Sequence, residues 1–379
     1  MLMKPVPVTA LLTALLAAVA LTGTAHATPT PTPTPKPVGG ELLGSRGLVR
    51  PAGIKAPPKS KATSYVIADL ETGEVLAAKD PHGRYLPAST LKTLTALTLI
   101  PKLDKNLTVK PSRNAVDQEG TAVGLTTKPL YKVDDLFKAL LMSSGNDAAM
   151  ALAETNGSLA KTMRDMNAEA KQLQANDTVA KTPSGLDKPG QSSSAYDLAL
   201  IARAGLGNPD FRRYISTKIA KFPAPKKYYE ISNHNKLLWR YQGMIGVKNG
   251  WTSKAQASFV GAATRGGHTI IVTIMRHEGY FWEEVASLLD WGFAARGKVT
   301  PVGQLVDPLP VELPAQQVTT SPVVTGPPAT APLLDSAASK QTDTSRTVGS
   351  IVIGGGLLFG LTWLGYGIRR RRNSRREVR

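Results

Sequence analysis

Pro87-Ala88-Ser89-Thr90-Leu91-Lys92 is the stretch from which the rest of the sequence is read. Leu91, Leu94, Leu97 and Ile100 continue it at intervals of three, a spacing that predicts an amphipathic helix. Residues three apart on a helix share a face, one turn apart, so Ser89 and Lys92 are expected to meet. A serine hydroxyl becomes a useful nucleophile when a base removes its proton. Lysine is such a base only if burial or a nearby cation keeps it neutral. The helix N-terminus beside Ser89 also favours negative charge. The same pattern recurs as Ser158-Leu159-Ala160-Lys161, expected on an ordinary surface helix, so the weight falls on what accompanies Ser89.

Two short elements accompany it in chain order. Ser144-Gly145-Asn146 lies between two helical patterns, Val133 to Met142 and Asp147 to Glu154. Lys248-Asn249-Gly250 lies on a strand pattern. A second Ser-x-Asn, Ser112-Arg113-Asn114, does not sit between helices. Three such elements in this order and context form a strong signature. Around them, Ser64 to Leu70 and Glu74 to Lys79 read as a β-hairpin turning at Gly73. Helices are expected from about Leu159 through Ala175 and over Ala195 to Ala204. Strand character returns over Gly246 to Thr252, Ala257 to Thr264 and Thr269 to Met275, before a closing helix from about Tyr280 to Phe293. Strands at both ends with helices between them imply a sheet assembled from distant parts of the chain, a helical lobe beside it and a cleft between.

These motifs resemble the penicillin-recognising serine enzymes, and most closely the low-molecular-weight D-alanyl-D-alanine carboxypeptidases, over about residues 62–307. The segments Ser143 to Ala148, Pro183-Ser184-Gly185-Leu186-Asp187 and Asn233 to Leu238 share the likeness. The resemblance implies an α/β plus α fold of the β-lactamase/transpeptidase type: an antiparallel sheet flanked by helices, with an all-helical subdomain. It implies that Ser89 attacks the carbonyl between two terminal D-alanines, that neutral Lys92 accepts its proton and that Ser144 relays a proton to the leaving amine. Asn146 would bind the substrate backbone, and Lys248 would hold the terminal carboxylate while keeping Lys92 neutral. Gly250 would leave room for substrate along the strand, and the amides of Ser89 and Trp251 would form the oxyanion hole. Asn249 departs from the family's usual threonine or serine, replacing a hydroxyl that meets the carboxylate with an amide. Arg276 is a candidate second carboxylate partner. Peptidoglycan stem peptides as substrate and β-lactams as inhibitors follow from the same likeness.

The ends of the chain carry other signals. Residues 1–27 place Lys4 before an apolar run from Val8 to Leu21 and Ala25-His26-Ala27, the order of a secretory signal peptide. Residues 28–61 begin in Thr-Pro repeats and read as an extended tether. A second Pro-rich tether is expected over 308–346. Residues 348–368 carry no charge, long enough to cross a bilayer as a helix. The basic tail 369–379 should then stay cytoplasmic and the body should lie outside.

Of the net charge of +18, Lys4 supplies one and the tail six. The remainder spreads over the body without a basic helix, which argues against nucleic-acid binding. Cysteine is absent, so an exported fold here depends on its core. The five histidines show no metal-ligand spacing, and serine chemistry calls for no cofactor. Two rival readings are a serine β-lactamase and a non-catalytic wall-binding homologue. The first lacks a Glu-x-x-x-Asn element between Ser144 and Lys248; the second leaves the intact Ser89, Lys92, Ser144, Asn146 and Lys248 without a purpose.

Overall fold

Successive side chains of strand β2 (Ser64–Asp69) point to opposite faces, and both faces are buried. Tyr65 and Ile67 join one apolar cluster with Phe259, Val285 and Leu288. Val66 and Ala68 join another with Leu91, Leu94 and Ile201. A sheet covered on both sides reads as continuous apolar runs, which is how β2 and its neighbours read. In this computed structural model residues 36–310 are described.

The main sheet has seven antiparallel strands. Its path is β1 (Leu48–Val49), β3 (Glu74–Lys79), β2, β10 (His268–His277), β9 (Gln256–Arg265) and β8 (Met244–Thr252), with β11 (Gly303–Gln304) also pairing with β3. Helix α9 (Trp282–Ala295) covers one face through Val285, Leu288 and Leu289. Helices α1 (Lys92–Leu99) and α6 (Ala195–Gly207) lie on the other, backed by α2 (Arg113–Val116), α3 (Val133–Leu141), α4 (Asn146–Thr155) and α5 (Leu159–Gln172). The expected all-helical lobe also holds a two-stranded sheet, β4 (Thr108–Val109) with β5 (Tyr131–Lys132). A second hairpin, β6 (Ile219–Phe222) with β7 (Tyr229–Ser232), follows α7 (Pro209–Ser216) and precedes α8 (Leu237–Arg240).

Two expectations are corrected. The segment 28–61 is not a free tether throughout: Leu48 and Val49 pair with Lys79 and Ala78, and Leu43 is fully buried. Its few apolar residues complete a sheet edge whose partner strand they could not announce. The helix after Ser89 is not amphipathic either. Lys92, Thr93, Thr95, Ala96, Thr98 and Leu99 are buried along with Leu94, because α1 runs between sheet and lobe. Its threonines are satisfied by carbonyls: Thr93 Oγ1 donates to Thr90 O at 2.6 Å, Thr98 Oγ1 to Leu94 O at 2.8 Å and Thr95 Oγ1 to Pro183 O at 2.7 Å.

The expected signal peptide (1–27), span (348–368) and basic tail (369–379), with most of the second tether, lie outside the described residues. Among the described residues no helix is long and apolar enough to cross a membrane.

Candidate active site

Residues Ala88–Leu91 form a 3₁₀ turn that runs directly into α1. In a 3₁₀ turn residues i and i+3 eclipse, so Ser89 and Lys92, which caps the turn, project on the same side. Lys92 Nζ donates to Ser89 Oγ at 3.0 Å. Ala88, immediately before the serine, has φ of 49° and no exposure, a conformation that L-residues hold only when the surroundings impose it. Ser258 Oγ and Thr90 Oγ1 each donate to Pro87 O at 2.6 Å and anchor the turn on β9.

Lys92 has two further acceptors, Asn146 Oδ1 at 2.7 Å and Ser184 O at 2.6 Å. It is wholly buried. Burial, aided by the positive charge of Lys248, holds its ammonium well below the usual lysine pKa, while Asp147 pulls the other way. In its neutral form the amine has two hydrogens and one lone pair; Asn146 Oδ1 and Ser184 O, which can only accept, take the hydrogens and leave the lone pair to the serine.

Asn146 is the first residue of α4 and 3% exposed. Besides accepting from Lys92, it donates from Nδ2 to Glu119 O at 2.6 Å. The expected substrate ligand therefore acts first as a clamp on Lys92. Ser144 sits two residues earlier with φ of 61° and 5% exposure; no hydrogen bond joins it to Ser89 or Lys92 among the described residues. Asp147 was not singled out from the sequence for a role of its own. Fully buried, it accepts the backbone N–H groups of Val123, Gly124 and Leu125 at 2.9–3.2 Å and so fixes the loop that carries Glu119.

Lys248, 1% exposed, faces the same centre from β8 and donates to Asn249 O at 2.7 Å. Burial pushes its pKa down to about 7. Strand β8 is the last on the sheet path, so an extended peptide can add along it. Trp251 is 70% exposed beside this edge, and Asn249 is half-buried. Gly250 has a different reason from the one expected. A Cβ there would stand 2.6 Å from Ser89 N and 2.9 Å from Thr90 N, so glycine is what lets β8 close on the serine turn. Arg276 lies exposed at the bulge in β10 with φ of 53°, its charge acting on the Tyr85 hydroxyl.

The two serine-lysine look-alikes separate here. Ser158 Oγ accepts from Lys161 N as the N-cap of α5, and Lys161 Nζ turns to Asp165 at 2.8 Å on the surface. A buried lysine on a serine, faced by a second buried lysine, is chemistry rather than capping.

A family model for D-alanyl-D-alanine carboxypeptidases matches residues 52–279. The chain belongs to that family. A D-alanyl-D-alanine carboxypeptidase of Mycobacterium tuberculosis is 41% identical over 264 residues, 68% of this chain and 90% of its own length. One of Bacillus subtilis is 32% identical over 222 residues, 56% of this chain and 57% of its own length. Among solved structures, a D-alanyl-D-alanine carboxypeptidase of M. tuberculosis superposes with a TM-score of 0.64 at 40% identity over 69% of this chain and 100% of its own. A Streptomyces DD-transpeptidase follows with a TM-score of 0.60 at 26% identity, over 63% and 100% respectively.

Within this carboxypeptidase the Pro183–Asp187 segment, noted in the sequence only for its likeness, acquires physical tasks. Ser184 O holds Lys92, and Gly185, at φ 80°, lies where a Cβ would overlap Ala88 O. Asp187 Oδ1 accepts from Thr252 Oγ1 at 3.0 Å, tying the loop to β8. Residues Ser232 and His234 hold the two residues before Ser144. His234 N donates to Met142 O at 2.9 Å, and Ser143 Oγ donates to Ser232 O at 3.1 Å. Backbone acceptors leave no residue-type signature, so these supports were not legible as such.

Proposed function

We propose that this carboxypeptidase removes the terminal D-alanine from peptidoglycan stem pentapeptides through an acyl ester on Ser89. The observation that carries the reading is Lys92 Nζ, fully buried and 3.0 Å from Ser89 Oγ. Ser89 Oγ attacks the carbonyl between the two D-alanines as its proton passes to Lys92. The proton travels by way of Ser144 to the departing amine, and free D-alanine leaves. Water then cleaves the ester, returning the hydrogen to Ser89. Lys248 and Asn249 face the substrate carboxylate, and the amides of Ser89 and Trp251 carry the developing oxyanion.

Support against a β-lactamase comes from Asp147, the carboxylate whose charge acts on Lys92. Its oxygens already accept N–H groups from Val123, Gly124, Leu125 and Ala148, so it is not free to activate water. Mass spectrometry after penicillin treatment is expected to find a persistent adduct on the peptide containing Ser89. Rapid loss of the adduct, or modification elsewhere, would overturn the assignment.

The two lysines set the pH dependence. Lys92 acts neutral, so activity falls as acidity protonates it. Lys248 acts charged, so in the free enzyme its contribution is lost as pH rises through about 7. A bound carboxylate favours its charged form and moves that loss upward. The alkaline limb of kcat/KM should therefore lie at lower pH than that of kcat, because the two report free and substrate-bound enzyme respectively. Coincident limbs would remove Lys248 from carboxylate binding.

Residues 62–307 then form the catalytic domain, held outside the membrane after removal of 1–27. The segment 308–346 would link it to a single span at 348–368 with 369–379 cytoplasmic. The charge-free 348–368 and the arginines behind it support this placement.

A further inference from the structure

His82, Asp177 and Asp197 come together away from Ser89, from positions too far apart in sequence to suggest a site. One potential ligand atom from each lies within 4.8 Å of the other two. His82 Nε2 is 3.0 Å from Val38 O, which can only accept, so Nε2 carries a hydrogen. His82 Nδ1 is 2.8 Å from Asp177 Oδ2. In the neutral ring Nδ1 presents a lone pair, which therefore faces a carboxylate. Asp197 is 1% exposed. Its Oδ2 accepts from Asp177 N at 2.8 Å and Thr178 Oγ1 at 2.7 Å, yet its Oδ1 has no hydrogen-bond partner. A buried carboxylate oxygen without a donor is costly, and here it belongs to a side chain that meets a histidine nitrogen and a second carboxylate. One proton between Nδ1 and Asp177 leaves Asp197 Oδ1 unserved. A divalent ion held between the three side chains would serve all of them.

We infer that His82 Nδ1, Asp177 and Asp197 form a binding site for a divalent transition-metal cation. One imidazole nitrogen and two carboxylates suit Zn²⁺ or Mn²⁺. The Nε2–H bond to a backbone carbonyl is the outer contact that orients metal-binding histidines. Two carboxylates and a neutral imidazole balance the ion's charge. Arg84 Nε, 3.9 Å from Asp177 Oδ1, belongs to a side chain 54% exposed and free to turn outward. The ion would pin three segments at one point: the N-terminal strap through Val38, the lead-in to Ser89 through His82, and the start of α6 through Asp197. Its role is structural and independent of the acyl-transfer reading.

Isothermal titration calorimetry of the full chain with Zn²⁺ tests this. One site per chain is expected, weakened at least about tenfold by Asp197→Asn. The asparagine oxygen can still accept from Asp177 N and Thr178 Oγ1 while its amide fills the orphan position. The variant should acylate with penicillin at the parental rate, which reports an intact fold. Equal Zn²⁺ binding by variant and parent would assign the ion to other histidines and overturn the site. As a measurement that needs no variant, thermal unfolding of the parent should shift upward with Zn²⁺ and return with chelator. An unmoved midpoint would leave a protonated network and no metal site.

Discussion

Exchanging Lys92 for methionine is expected to lower D-alanine release and penicillin acylation by on the order of 10⁴-fold, with the chain still folded. Methionine is unbranched and of similar length, so it suits a fully buried position, but its thioether sulfur is far too weakly basic to take the Ser89 proton. The variant leaves Asn146 Oδ1 and Ser184 O without their donor, and some loss of stability follows. Ser89→Ala should abolish the adduct altogether. Combining both changes should cost almost nothing beyond Ser89→Ala, because residues that act as one unit lose their effect together. Two independent, multiplying losses in D-alanine release would show that Lys92 acts apart from Ser89.

Gly250→Ala should reduce acylation by about 10²-fold or more while most of the fold's stability remains. The added carbon would meet Ser89 N at 2.6 Å and Thr90 N at 2.9 Å. These are backbone atoms and cannot turn away, so β8 and the serine turn must part. Displacement of about 1 Å at reacting groups suffices for such a loss. Gly207→Ala, where nothing lies within 4 Å of the new carbon, should leave acylation unchanged. Parental acylation by the Gly250 variant would mean that the close approach of β8 to Ser89 has no catalytic consequence.

Much of this fold was readable in advance. The apolar runs of β2, β9 and β10 and the Gly73 turn mark strands through local chemistry, and the helices Val133–Leu141 and Ala195–Gly207 carry their own periodicity or N-cap. Strands β1 and β11 were not readable, since two residues carry no period and gain meaning only from β3. Helix α1 misled for the opposite reason: threonines read as a polar face when their hydroxyls were destined for buried carbonyls.

The sequence alone named Ser89, Lys92, Asn146 and Lys248 as candidates for one centre, because i, i+3 spacing lets a serine and a lysine share a face and because the asparagine and glycine patterns mark a loop and a strand; the same spacing at Ser158 and Lys161 brings no such meeting. Only the tertiary structure decided that this lysine could be a base and its look-alike Lys161 could not. Loss of hydration and the nearness of Lys248 are properties of residues far apart along the chain. The same holds for His82, Asp177 and Asp197, whose meeting depends on how α6 and the N-terminal strap pack against the lead-in to Ser89.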